Sequence, residues 1–209
     1  ARMSGKAPAG VICEIMNEDG TMARMDQLKI VAQDLGVKLI SIEDLISYRS
    51  KREKLVEAKN LPNIKTPWGE FRVIEYRDTI SSEEHLAIIS DGFDPSATPL
   101  VRVHVACTMG DVFQVGNSPC YNRLHKAMEK IGKEGGVLLY LRHKENLISQ
   151  IIGTETETEG VNARWEDRSY GVGMQILSDL GIHKMKILSS NAQKITGLKG
   201  RGLEIIASE

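Results

Sequence analysis

Cysteine is scarce in this chain, three in 209 residues, at Cys13, Cys107 and Cys120. No spacing framework links them, so a disulfide-stapled secreted scaffold is excluded and a reducing compartment is expected. An excess of one charge is also missing: the formal net charge is −1 and the pI about 6.6. Without a basic or acidic surplus there is no broad electrostatic case for a nucleic-acid or membrane partner. Long apolar runs are absent, and none approaches the length that spans a bilayer. No signal or transit pattern is present, and the sequence opens at Ala1 in mid-pattern. It therefore reads as part of a longer protein, with localisation set by residues elsewhere. What is there is ordinary for a globular protein, 41% hydrophobic and 26% charged. The length allows one domain or two small ones.

The stretch from Arg102 to Ser149 organises the rest. Val101, Val103 and Val105 alternate as a strand. Cys107 to Asp111 is a polar turn. Leu124, Ala127, Met128 and Ile131 recur at helical spacing, and Gly135 and Gly136 stop that helix. Val137 to Leu141 is a short buried strand. Cys107 and Cys120 flank a glycine-containing loop. Two cysteines so placed are either half of a zinc site, with His104 and His125 as further ligands, or two reduced, partly buried thiols.

This stretch resembles the zinc centre of the GTP cyclohydrolase II family, which carries R-V-H-S-E-C-L-T-G-D-V-F followed by C-x-C. Arg102, Val103, His104, Cys107 and Gly110 to Phe113 match. The resemblance implies metal positions at Cys107, Ser118 and Cys120, so serine stands where the second thiolate belongs. The family's glutamate after R-V-H is Ala106. Its glycine-rich nucleotide loop is replaced by residues 142–149, with Asn146 at the arginine position, and more than ten residues of a following helix are dropped. The expectation is a lost zinc site and negligible cyclohydrolase activity, because that chemistry needs a metal-activated hydroxide and a complete ligand set.

Earlier in the chain, Ala9 to Ile15 and Val37 to Ile40 read as strands. Asn17 to Gly20 is a turn, and Asp26 caps a helix that Gly36 ends. Ser41 caps a second helix. Some fifty residues are too few for a sizeable core of their own. Pro8 to Ile15, Asn17 to Arg24 and Ile42 to Arg49 resemble the end of the 3,4-dihydroxy-2-butanone 4-phosphate synthase family. That family makes the butanone phosphate and formate from ribulose 5-phosphate with Mg²⁺. The resemblance gives Glu14 an essential catalytic role and places the Mg²⁺ ligands upstream of residue 1. The structural alternative for Glu14 is a carboxylate in a satisfied polar contact.

Arg49 to Asn63 is basic and helix-breaking at Pro62, so a connector is expected over residues 51–65. Its lysines and arginines are either a solvated helix end or a phosphate patch. Strands are then expected from Thr66 to Ile74 and from Leu86 to Ile89. Thr154 to Glu159 is an acidic low-complexity run, read as an exposed loop rather than a metal site.

Trp165 to Leu177 resembles the family's D-x-R-D-Y followed by its G-x-G-A-Q-I-L helix. Arg168 then takes the place of the nucleophile toward the nucleotide phosphate, and Glu166 that of the proton acceptor. The plain alternative is a surface ion pair at a helix start. Leu188 to Lys194 parallels L-T-N-N-P-K-K, where Ser189 and Lys194 fall at nucleotide-contact positions; a capped helix is the alternative. The same resemblance places Arg102, Val103, His104, Arg123 and Thr154 at GTP.

The expected fold is α/β: the end of a synthase domain over 1–50, a connector, and a cyclohydrolase-like mixed-sheet domain over 66–209. Both halves together resemble the bifunctional riboflavin-synthesis family of bacteria and plants. That likeness implies a homodimer, and a plastid stroma if the plant form applies or the cytoplasm otherwise. Three functions follow: a synthase parent with an inactive second domain, a weak or altered cyclohydrolase, and a nucleotide-binding regulatory module. Substrate partners would be ribulose 5-phosphate and, weakly, GTP.

Overall fold

The computed structural model describes residues 1–115, 119–142, 171–189, 198 and 202–209. They form two units, Ala1–Ile42 and Glu43–Glu209.

The first unit has one α-helix, α1 (Met25–Asp34), after a single 3-10 turn at Arg2–Ser4. Gln27 accepts the Arg24 N–H at 2.7 Å, which closes the first turn of α1. The N-cap is therefore Arg24, and Asp26, expected as the cap, lies inside that turn. Gly36, with φ +62°, follows the helix as its stop. The strands expected at residues 9–15 and 37–40 do not form; among the described residues, the only pairing here is a bridge between Met16 and Met22 around the turn. Strand hydrogen bonds are made between strands, and a short segment without a neighbour has no partner for its backbone. No described residue of this unit is buried, and Val11 and Ile12 are fully exposed.

α2 (Ile42–Arg52) starts directly after Ser41 and from Glu43 onward belongs to the second unit. Two of the basic residues expected near here are already engaged: Arg49 pairs with Glu53 at 2.6 Å and Lys54 with Asp179 at 2.8 Å. Most of the expected connector is strand. Residues 56–65 belong to β1 (Val56–Thr66), which forms a hairpin with β2 (Gly69–Asp78). Pro62 is tolerated because β1 is the sheet edge and its register shifts between Leu61 and Ile64.

The strands β3 (Glu84–Ser90), β4 (Leu100–Val105), β5 (Gly136–Leu141), β6 (Lys184–Ile187) and β7 (Glu204–Ser208) complete, among the described residues, a seven-stranded sheet in the order β1-β2-β3-β5-β4-β6-β7. The first four strands in that order are antiparallel, and β5, β4, β6 and β7 run parallel. A short α3 (Thr108–Asp111) and a long α4 (Cys120–Glu134) connect β4 to β5.

Both faces of the sheet are covered, which is why β5 is apolar at nearly every position. Val137, Leu139 and Leu141 pack with Met174, Ile176 and Leu177 of a helix over 171–179. Leu138 points the other way, to Ala127, Met128 and Ile131 of α4 and to Phe71. The two-residue period of a strand thus assigns alternate side chains to two cores.

Gly132 of α4 marks a close approach, since a Cβ there would run into the carbonyl oxygen of Trp68. Helix propensity alone predicts that Gly132→Ala stabilises the protein by about 1 kcal/mol. The contact predicts the opposite sign, a loss of about 1–3 kcal/mol from overpacking. Chemical denaturation of the variant measures which holds.

Candidate functional site

The parallel strands β4, β5 and β6 end side by side. Val105 pairs with Leu141, the Ala106 N–H donates to the Leu141 carbonyl at 2.8 Å, and the Leu188 N–H donates to the Val101 carbonyl at 2.8 Å. Carboxyl ends of parallel strands are where open α/β sheets place ligands. Here the chain leaves β4 at Cys107 and winds into α3, where a polar turn was expected; the Asp111 N–H donates to the Cys107 carbonyl at 2.6 Å.

That one turn carries the Asp111 carboxylate back over the strand ends, where three groups donate to it. His104 Nε2 lies 2.8 Å from Oδ1. The Cys107 N–H and the Tyr140 hydroxyl each lie 3.0 Å from Oδ2. His104 and Tyr140 are directly opposite in the β4–β5 register and stack at 5.7 Å with 14° between their planes. His104 and Asp111 are buried. Burial pushes the Asp111 carboxyl upward, but its donors outweigh that and hold it below the ordinary value of 3.8. Facing a carboxylate, His104 Nε2 is the donor, and its Nδ1 is buried without a partner among the described residues.

The two cysteines also meet here. The Cys107 thiol is pushed up chiefly by a hydrogen bond with Cys120 and then by burial. Cys120 is the first residue of α4, so the end of β4 and the start of α4 supply one sulfur each. The histidines considered as further ligands are engaged elsewhere. His104 holds Asp111, and His125 stacks on Tyr121 at 3.8 Å and meets Trp68 edge-on at 4.8 Å. Among the described residues, no group of three or more His, Cys, Asp or Glu is arranged to hold a metal ion.

Arg102 donates to the Leu188 carbonyl at 2.6 Å, which brings it beside Ser189 at the end of β6. Val103 is on the opposite face, packed against the core, so its side chain is turned from this cluster. Arg123 is exposed on α4, and Glu14 is exposed in the first unit. Ser118, Asn146, Thr154, Glu166, Arg168 and Lys194 lie outside the described residues.

Two groups at this end were not singled out as site residues from sequence. Asp111 lay inside the matched motif, and its spacing from Cys107 by one helical turn was the available signal. His85 is buried on β3, and its Nδ1 accepts the Arg142 N–H at 3.2 Å just beyond β5. Its alternation with Ala87 and Ile89 marks it as facing inward.

Parallel strands ending on a buried carboxylate, a histidine and paired thiols define an α/β domain with its polar cluster in the position such sheets use for ligands. Residues 57–209 match the family model described as GTP cyclohydrolase II. The chain belongs to that family. Residues 1–48 match the model for 3,4-dihydroxy-2-butanone 4-phosphate synthase.

Among similar proteins, the riboflavin biosynthesis protein RibBA of Aquifex aeolicus (strain VF5) is 41% identical over 99% of this chain and 54% of its own length. A probable bifunctional riboflavin biosynthesis protein, RIBA 2, chloroplastic, of Oryza sativa subsp. japonica is 40% identical over 99% of this chain and 40% of its own. The chain thus spans about half the length, or less, of these relatives. The solved structure of RibBX, a two-domain 3,4-dihydroxy-2-butanone 4-phosphate synthase from A. baumannii, superposes with a TM-score of 0.66 at 33% identity. That match covers 100% of this chain and 56% of RibBX.

His85 makes the pH dependence of the second unit predictable. Burial, helped by Arg142 and opposed by Glu83 and Asp78, lowers it from the ordinary 6.5. The unfolded chain then takes up a proton that the folded one refuses. Its contribution is fully present above 6.5 and is lost as pH falls through the window below that value. Unfolding free energies measured at stepped pH should decline below 6.5, and His85→Asn should flatten that slope.

Proposed function

We propose that the parent protein works in riboflavin biosynthesis as a 3,4-dihydroxy-2-butanone 4-phosphate synthase, and that its GTP cyclohydrolase II domain is kept as a structural partner without hydrolysing GTP. The observation that carries this reading is the donor set at the strand ends. Two thiols contact each other, and the position between them in the family's ligand pattern is Ser118. A serine hydroxyl is a hard donor whose proton does not leave near neutral pH, so the residues present do not fit a three-thiolate zinc site. Asn146 and the missing glycines downstream of β5 remove the nucleotide loop as well. RibBX, itself described as a two-domain synthase, is similar along the whole of this chain, which supports the reading.

In the synthase half, Glu14 supplies a carboxylate suited to moving a proton on the sugar phosphate. Mg²⁺ is assigned to acidic and histidine ligands preceding residue 1, and the working form is a homodimer. A second reading has one observation in its favour. Arg102, held at the end of β6 beside Ser189, leaves part of a nucleotide-facing surface in place. On that reading the domain binds GTP without turning it over.

The full-length protein should release formate from ribulose 5-phosphate with Mg²⁺, and Glu14→Gln should lower that rate by about 10²–10⁴-fold. It should release none from GTP with zinc supplied. Formate from GTP, or silence with ribulose 5-phosphate, would contradict the proposal. Calorimetry with GTP at millimolar ligand separates the second reading from the first.

A further inference from the structure

We infer that the second domain holds the end of α2 through a clamp centred on Asp179, and that α2 is the element by which this domain supports the synthase half. The inference rests on the structural-partner reading above and deepens it, by naming the residues through which that support acts.

Family matches and structural units divide the chain at different places. The synthase match ends at residue 48, while the second unit begins at Glu43. Residues 43–48 therefore carry synthase sequence on a helix that belongs to the other unit. The cyclohydrolase match begins at residue 57, so residues 49–56 fall in neither match. The clamp is built on that stretch.

One carboxylate makes it. Asp179 is the last residue of the helix over 171–179. A negative charge there opposes the helix dipole and is favourable only with partners. It has one on each oxygen. Lys54 Nζ lies 2.8 Å from Oδ1, and the Tyr76 hydroxyl donates to Oδ2 at 3.0 Å. Tyr76 is buried on β2. Burial, and then the Asp179 charge, push its phenol upward, so the hydroxyl keeps its proton and remains a donor. The helix itself is seated in the core by Met174, Ile176 and Leu177. Lys54 thus reaches a carboxylate already fixed from its other side.

Neighbouring backbone fastens the same segment. The Leu55 carbonyl accepts the Thr79 N–H at 3.0 Å and the Thr79 hydroxyl at 3.2 Å. Val56 is buried and pairs with Asp78. On the helix side, the Glu53 N–H donates to the Arg49 carbonyl at 2.7 Å, and the Arg49–Glu53 ion pair closes over the last turn of α2. Helix ends in water fray. This one passes directly into a segment held at Lys54, Leu55 and Val56. Lys54 is itself largely exposed, so removing its charge leaves the core intact and releases only the clamp.

Hydrogen–deuterium exchange of the full-length protein, followed in peptides over residues 42–54, tests the clamp. The decay of formate release from ribulose 5-phosphate on warming tests what the clamp serves. Lys54→Gln and Asp179→Asn should each speed exchange at the end of α2 by about two- to fivefold, with peptides of β4 and β5 unchanged. The double variant should be no faster than the single ones, since both remove one bridge. Both variants should lose synthase activity on warming faster than the wild type. Lys184→Gln, which removes an exposed bridge to Glu204 on the same sheet, should do neither. Unchanged exchange in α2, or additive effects, would overturn the clamp and leave the structural-partner reading standing. Faster exchange with unaltered decay would overturn the link to the synthase half. A wild type silent with ribulose 5-phosphate would overturn the synthase reading and the supporting role with it, while exchange would still decide the clamp.

Discussion

One buried carboxylate holds the functional end of this domain together. Asp111 gathers a ring nitrogen from β4, a hydroxyl from β5 and a backbone N–H from the turn between β4 and α3. A buried charge without such donors is strongly unfavourable, and one whose donors are in place fixes them in a single arrangement. The downward displacement of its titration, against the effect of burial, records that the donors prevail. Everything else at the strand ends is placed from here. His104 and Tyr140 are stacked by the register of two parallel strands and locked by the same carboxylate. Cys107 is oriented by its backbone bond to that carboxylate, and so presents its sulfur to Cys120.

This arrangement separates the frame of the site from its chemistry. A family defined by GTP cyclohydrolase II keeps, in this chain, the elements that build the strand ends: R-V-H on β4, the turn into α3, and the helix carrying the last cysteine. Of the positions that depart, Ala106 has no side-chain group with which to hydrogen-bond, and Ser118 and Asn146 lie outside the described residues. Three donors on one carboxylate join β4, α3 and β5 at this end of the sheet.

Much of this was legible in the sequence. The strand at 100–105 follows from two-residue alternation and the long helix after Cys120 from helical spacing, while the strands around 84–90 and 136–141 show as short apolar runs. The motif around Cys107 and Cys120 pointed to the strand ends where the polar cluster lies. What the sequence hid has physical causes. Pro62 and the lysines of β1 look like a connector, and only the register shift at an edge strand reconciles them with a sheet. The apolar runs at residues 9–15 and 37–40 have strand composition, but pairing is a tertiary event and nothing in their own unit pairs with them. The role of Asp111 needs the parallel register of His104 and Tyr140, two residues far apart in sequence.

The central claim is that this end of the domain is held together by the Asp111 carboxylate. A double-mutant cycle of Asp111→Asn and Tyr140→Phe, read as unfolding free energy in the presence of a strong chelator, tests it most directly. The account predicts a coupling of about 1 kcal/mol or more, unchanged by the chelator. Additivity within about 0.5 kcal/mol, or a coupling that appears only when zinc is supplied, would contradict it.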